Sequence, residues 1–153
     1  MSAFCKAHNL FFFSHYADDL TFSSEIAISN DQILDIINII KKNHFEINEK
    51  KLRLKTNNRK QIVTGLTVNE KVNVDRKLLK KIRAMLHDFT RNGIDAATQN
   101  HFNLKSANEI KDRAKFIQRL EGYINFVGLV RGKNDALYLS SKMSFDEMFI
   151  GVA

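Results

Sequence analysis

Apolar and polar positions alternate on either side of one short polar stretch near the start of the chain. Phe11 and Phe13 fall on one face, with Phe12 and Ser14 on the other. After Tyr16, Ala17, Asp18 and Asp19 the same period of two resumes, with Leu20 and Phe22 against Thr21 and Ser23. This pattern predicts a β-hairpin whose tip carries two adjacent carboxylates, since Asp tolerates turn geometry. The period then becomes helical. Ser29 and Gln32 are spaced as a capping box ahead of Ile33, Ile36, Ile37 and Ile40, a stripe expected to cover the back of the sheet. Residues 45–53 read as an extended return, Asn57-Asn58-Arg59 as a turn, and residues 61–68 as a strand containing Gly65, so the two segments make a second, smaller hairpin.

Before the first strand, Phe4 and His8 are one helical turn apart and mark residues 1–9 as the end of a helix. In the second half, Asp75 is placed as an N-cap for a helix over residues 76–92 with Leu78, Ile82, Met85, Leu86 and Phe89 on one side, and Gly93 is placed to stop it. Residues 94–106 read as a polar loop with a short helical turn. A further helix is expected over 108–130, through Ile110, Ala114, Ile117, Leu120, Ile124 and Val127, with Gly132 closing it and a last helix over 136–149. Gly122 and Gly128 either weaken that helix or let another element pack closely. The class is α+β: a small sheet with one helix, then a bundle of about three helices, with a boundary between 1–72 and 73–153. There are no repeats, and the absence of Pro leaves no obvious linker.

Composition narrows the partners. The 153 residues hold 24 Lys and Arg against 17 Asp and Glu, a net charge of +7 that favours a polyanion, nucleic acid first. The single Cys5 makes no internal disulfide, and no Cys/His cluster has zinc spacing, which suits a reducing compartment. The start lacks a signal-peptide layout, and the apolar run from Leu10 to Phe13 is far too short to span a bilayer. A soluble, cytoplasmic protein with no membrane partner is expected.

Three groups of residues carry candidate chemistry. Asp18 and Asp19 repel one another unless a cation lies between them, and their hard oxygens suit Mg²⁺ or Mn²⁺; the plainer alternative is an ordinary polar turn. Lys77, Lys80, Lys81 and Arg83 lie opposite an apolar stripe, as a phosphate-binding surface or as a solvated helix face. Thr64 offers a hydroxyl and Gly65 a close backbone approach, suited to a phosphate or 2′-hydroxyl, or else Gly65 sits at a plain β-bulge.

The string Tyr16-Ala17-Asp18-Asp19-Leu20-Thr21-Phe22-Ser23 resembles the catalytic palm hairpin of bacterial reverse transcriptases, the retron-type enzymes in particular. The resemblance implies a partial polymerase palm followed by a thumb, with Asp18 and Asp19 as catalytic metal ligands for Mg²⁺ and Tyr16 beside the nucleic acid. Ile47-Asn48-Glu49-Lys50-Lys51 resembles the next polymerase motif and implies a role for Lys51 near the triphosphate of a dNTP, although Leu52 stands where the family more often has Thr. Val63-Thr64-Gly65 resembles a feature linked to recognition of a structured RNA. Residues 76–87 resemble the first thumb helix, which would place Lys77, Lys80, Lys81 and Arg83 against an RNA–DNA duplex, and 120–127 and 135–138 resemble the rest of the thumb. Two-metal nucleotidyl transfer needs carboxylates from more than one strand. In the family a further Asp and the fingers come from residues with no counterpart here, and Asp31, Asp35 and Asp75 are placed at helix starts or surfaces. A split enzyme completed by a second polypeptide is therefore expected, with a non-catalytic nucleic-acid-binding module as the alternative.

Overall fold

A computed structural model describes residues 12–102 and 110–150. The expectations for Phe4, Cys5, His8, Phe11 and the end of the 94–106 segment lie outside the described residues. The chain divides into two compact units, Met1–Thr64 and Gly65–Ala153.

In the first unit, β1 (Phe12–Tyr16) and β2 (Asp19–Ser23) form the expected antiparallel hairpin. Phe13 pairs with Phe22, their ring centroids 5.3 Å apart, and the Phe13 ring also stacks on His15. Such cross-strand aromatic pairs hold register on one face of a ladder. Helix α1 (Asn30–Lys42) begins at Ser29, whose side chain accepts from the Gln32 amide while the Gln32 side chain accepts from the Ser29 N–H. It ends with His44 at φ 63 and the Phe45 amide bonded back to Ile40, an αL cap of the kind that closes helices. Among the described residues α1 does not lie broadly against the hairpin, so the expected covering of the sheet is not formed there. Ile36 is the buried residue of α1, and Phe12, Leu34, Phe45 and Leu54 stay exposed.

The 61–68 strand is corrected to a tight hairpin of its own. Strands β3 (Ile62–Val63) and β4 (Leu66–Thr67) pair across Thr64 and Gly65, which have φ of 46 and 84. Two consecutive residues with positive φ fold the chain back on itself, as in a type I′ turn, and no strand can run through them. Residues 45–53, expected to pair with it, instead contain a 3₁₀ turn at Glu49–Lys51. The Asn57–Arg59 turn forms, closed by the Arg59 amide to the Thr56 carbonyl at 3.0 Å.

The second unit holds a real core. Helix α2 (Arg76–Phe102) starts at Asp75, whose carboxylate accepts from the Lys77 amide at 2.8 Å. Gly93, with φ 80 and ψ 171, is non-helical and stops the first segment of α2 as expected, but a second helical segment follows it directly. The expected polar loop after Gly93 is therefore helical as far as Phe102. The reason is an inward face of small and half-polar residues at helical spacing: Ile94, Ala97, Thr98 and His101 are at i, i+3, i+4 and i+7, and Ala97 and Thr98 are fully buried. Helices α3 (Ile110–Arg131) and α4 (Ala136–Ile150) complete the bundle. Ile82, Met85, Phe116, Leu120, Ile124 and Val127 make its centre, and each such side chain contributes about 1.5–3 kcal/mol by leaving water. Gly132, at φ 96, ends α3 through its amide to the Gly128 carbonyl, and Asp135 caps α4 through the Leu137 amide. The α+β class stands, with two small antiparallel hairpins and four α-helices among the described residues.

By their contacts, residues 65–72 fall in the second compact unit. Thr67 and Asn73 exchange backbone hydrogen bonds of 2.9 and 2.8 Å, and Asn73 Oδ1 accepts from Arg131 at 2.6 Å. Arg131 also pairs with Asp135 at 2.9 Å, in a mostly buried site. One guanidinium thus ties the loop before α2 to the α3–α4 corner.

Candidate metal hairpin and basic helix face

The hairpin tip is built by a two-residue reversal. Tyr16 pairs with Asp19, leaving Ala17 and Asp18 as the connection, and Ala17 is held at φ 50. Positive φ is uncommon for residues with a Cβ and stores strain at such a tip. Its geometric result is that Tyr16, Asp18 and Asp19 are all exposed. No Lys or Arg among the described residues neutralises either carboxylate by an ion pair. Two adjacent oxygen donors with no competing cation fit one side of a divalent-metal site. Among the described residues no group of three or more potential ligands gathers there or elsewhere.

Lys51 closes the 3₁₀ turn and is exposed, with no hydrogen bond or ion pair to the hairpin carboxylates. Thr64 and Gly65 sit at the exposed turn between β3 and β4. Nothing lies within 4 Å of where a Gly65 Cβ would be, so the glycine answers to its φ and not to packing in this chain.

Lys77, Lys80, Lys81 and Arg83 are all exposed on the first half of α2. Lys81 is more constrained than the spacing suggested. Its Nζ lies 3.2 Å from the Tyr123 hydroxyl and 5.0 Å from the ring centroid, which draws α3 into the basic face. Arg83 borders a shallow groove with Leu79, Leu86 and Ser141.

Sequence reasoning missed a second polar cluster across the Gly93 break. Asp88 accepts from Asn92 at 2.6 Å and from Asn100 at 3.1 Å, and His101 Nε2 is 3.4 Å away. The Asn92 amide foremost, with Asn100 and His101, holds the Asp88 carboxyl below its usual range against the opposing effect of burial. The i, i+4 spacing of Asp88 and Asn92 was visible; the approach of Asn100 and His101 depended on the break at Gly93.

No family profile matches the chain. Over 92 residues, 60% of its length, it is 32% identical to a protein described as Retron Mx65 reverse transcriptase from Myxococcus xanthus. The chain is similar to a retron reverse transcriptase. The match covers 22% of that protein, so it concerns a fraction of the relative's length. No helix among the described residues is long and apolar enough to cross a membrane.

Proposed function

We propose that this chain is part of an RNA-directed DNA polymerase, contributing the metal-binding hairpin of the palm and a helical thumb that holds the primer–template duplex. The observation that carries the reading is the Tyr16–Asp19 reversal, which lifts to an exposed tip two carboxylates that no described residue neutralises; similarity to a retron reverse transcriptase supports it. Asp18 and Asp19 would hold Mg²⁺, which in such a site stabilises the attacking and leaving oxygens of nucleotidyl transfer. Among the described residues no third carboxylate joins them, and on this reading a second polypeptide supplies it. The exposed Phe12, Phe45 and Leu54 of the first unit support such completion, because apolar surface of this kind favours a covering partner. On this reading Tyr16 lies beside the nucleic acid, Lys51 near the dNTP triphosphate, Thr64 and Gly65 against a structured RNA, and Lys77, Lys80, Lys81 and Arg83 on duplex phosphates.

The test is primer extension with Mg²⁺ and nucleotides, by the chain alone and combined with a polypeptide bearing fingers and the first palm Asp. The chain alone is expected to be inactive and the combination active, with Asp18→Asn abolishing synthesis while nucleic-acid binding persists. An Asp18→Asn enzyme keeping most of its activity would remove Asp18 from the metal site. A combination that never polymerises but binds duplex would favour a non-catalytic binding module.

A further inference from the structure

Helix α2 is broken at Gly93, and one carboxylate reaches across the break. Asp88 lies in the first segment, and its Oδ2 accepts from Asn100 in the second at 3.1 Å, with His101 Nε2 3.4 Å from the same oxygen. Its other oxygen accepts from Asn92 at 2.6 Å, within the first segment. The Asp88 and His101 side chains are only 14% and 19% exposed, so water competes little for these contacts. In a continuous helix residues 88 and 100 would stand about 18 Å apart along the axis, at roughly 1.5 Å per residue. No aspartate and asparagine side chains span that distance. The contacts to Asn100 and His101 therefore exist only in the broken form, and their whole free energy favours it over a straight one.

What else holds the second segment, residues 94–102, is modest. Gly93 is not wedged in place, since nothing lies within 4 Å of its Cβ position; its φ of 80 simply suits a glycine. Ala97 and Thr98 are the fully buried residues of the segment. Alanine takes little apolar surface out of water, and the Thr98 hydroxyl has no partner among the described residues, which counts against burying it. Phe102 meets Phe116 of α3 with ring centroids 6.3 Å apart. Arg113 of α3 reaches Asp95 at 2.9 Å, in an exposed pair of the kind that contributes little. A segment that begins at a glycine, buries small residues and is tied back by one carboxylate has the makeup of a unit that opens locally before the rest of a bundle.

We propose that Asp88 is the latch of a hinge at Gly93. With the latch closed, residues 94–102 fold back against α3; with it open, they leave the core together by rotation at the glycine, while the first segment of α2 stays packed. The device goes beyond the polymerase reading and operates in the free chain, whatever the chain binds.

Hydrogen exchange of the full chain, read by mass spectrometry, tests it with three variants. Asp88→Ala removes every bond of the latch, Asn100→Ala removes one across the break, and Asn92→Ala removes only the bond inside the first segment. Amides of residues 94–102 are expected to exchange about tenfold or more faster in Asp88→Ala, the scale of losing hydrogen bonds to a charged group. Asn100→Ala should move them in the same direction and Asn92→Ala much less, with residues 78–86 and 116–127 keeping their wild-type rates in all three. Unchanged exchange at 94–102 in Asp88→Ala and Asn100→Ala overturns the proposal. So does faster exchange spread evenly over α2, α3 and α4, since Asp88 would then serve overall stability alone, or an effect of Asn92→Ala as large as that of Asn100→Ala. If Asp88→Ala does not fold, Asn100→Ala, which changes an exposed residue, decides between the same outcomes.

Discussion

The ring of Tyr138 on α4 occupies the space where a side chain on Gly128 of α3 would begin, 2.6 Å from its Cβ position. This contact sets how closely the two helices approach. Gly128→Ala is expected to cost roughly 1–3 kcal/mol, the scale of overpacking a closed core, whereas Gly122→Ala, in open space, should gain up to about 1 kcal/mol from helix propensity. Urea unfolding of the two variants checks this, and a loss of equal size at both positions would contradict the packing described.

The Arg131–Asp135 pair makes stability pH-dependent. Hydrogen bonding to Arg131, then the Leu137 amide, holds the Asp135 carboxyl below its ordinary range although burial opposes this. A carboxyl with a depressed folded-state pKa contributes stability that is complete above the unfolded pKa of about 3.9 and is lost as the pH falls through the folded value. Asp135→Asn should therefore be destabilised near neutrality by roughly 1–3 kcal/mol, the cost of leaving a mostly buried partner unsatisfied. Its deficit against the wild type should shrink below about pH 4. A deficit constant from pH 7 to pH 3 would show that the ionised carboxylate is not what matters.

The basic face of α2 predicts a salt signature. Neutralising Lys77, Lys80 and Lys81 should weaken duplex binding regardless of sequence, and each phosphate contact removed should lower the slope of log K against log salt by about 0.7–0.9. Tyr123→Phe should have a smaller effect in the same direction, since it frees the Lys81 ammonium without removing it. An unchanged slope in the triple variant would make these lysines a solvated face.

Thr98 is completely buried, and its hydroxyl has no hydrogen-bond partner among the described residues. Thr98→Val keeps the shape and removes the unpaired oxygen, so it should stabilise the chain by roughly 1 kcal/mol or more. Thermal unfolding reads this directly, and a destabilised variant would reveal a partner for the hydroxyl.

What the sequence determined by itself was local. The hairpin from Phe12 to Ser23, the Ser29–Gln32 capping box, the Asp75 cap and the apolar stripes of the helices are each written in residues a few positions apart, and short-range geometry suffices to form them. The reach of local signals ends where a backbone conformation or a distant partner decides. Val63-Thr64-Gly65-Leu66 looked like continuous strand because its side chains suit one; two positive φ angles made it a turn. Residues 94–102 looked polar, yet the break at Gly93 turned their small apolar face into the core. Arg131 meets Asn73 across 58 positions of sequence, and Lys81 meets Tyr123 across 42. The carboxylates Asp18 and Asp19 were legible because one hairpin presents them. The Arg131 clasp, the Lys81–Tyr123 contact and the unused space at Gly122 exist only once the helices pack, because each depends on the separation of elements that no local spacing encodes.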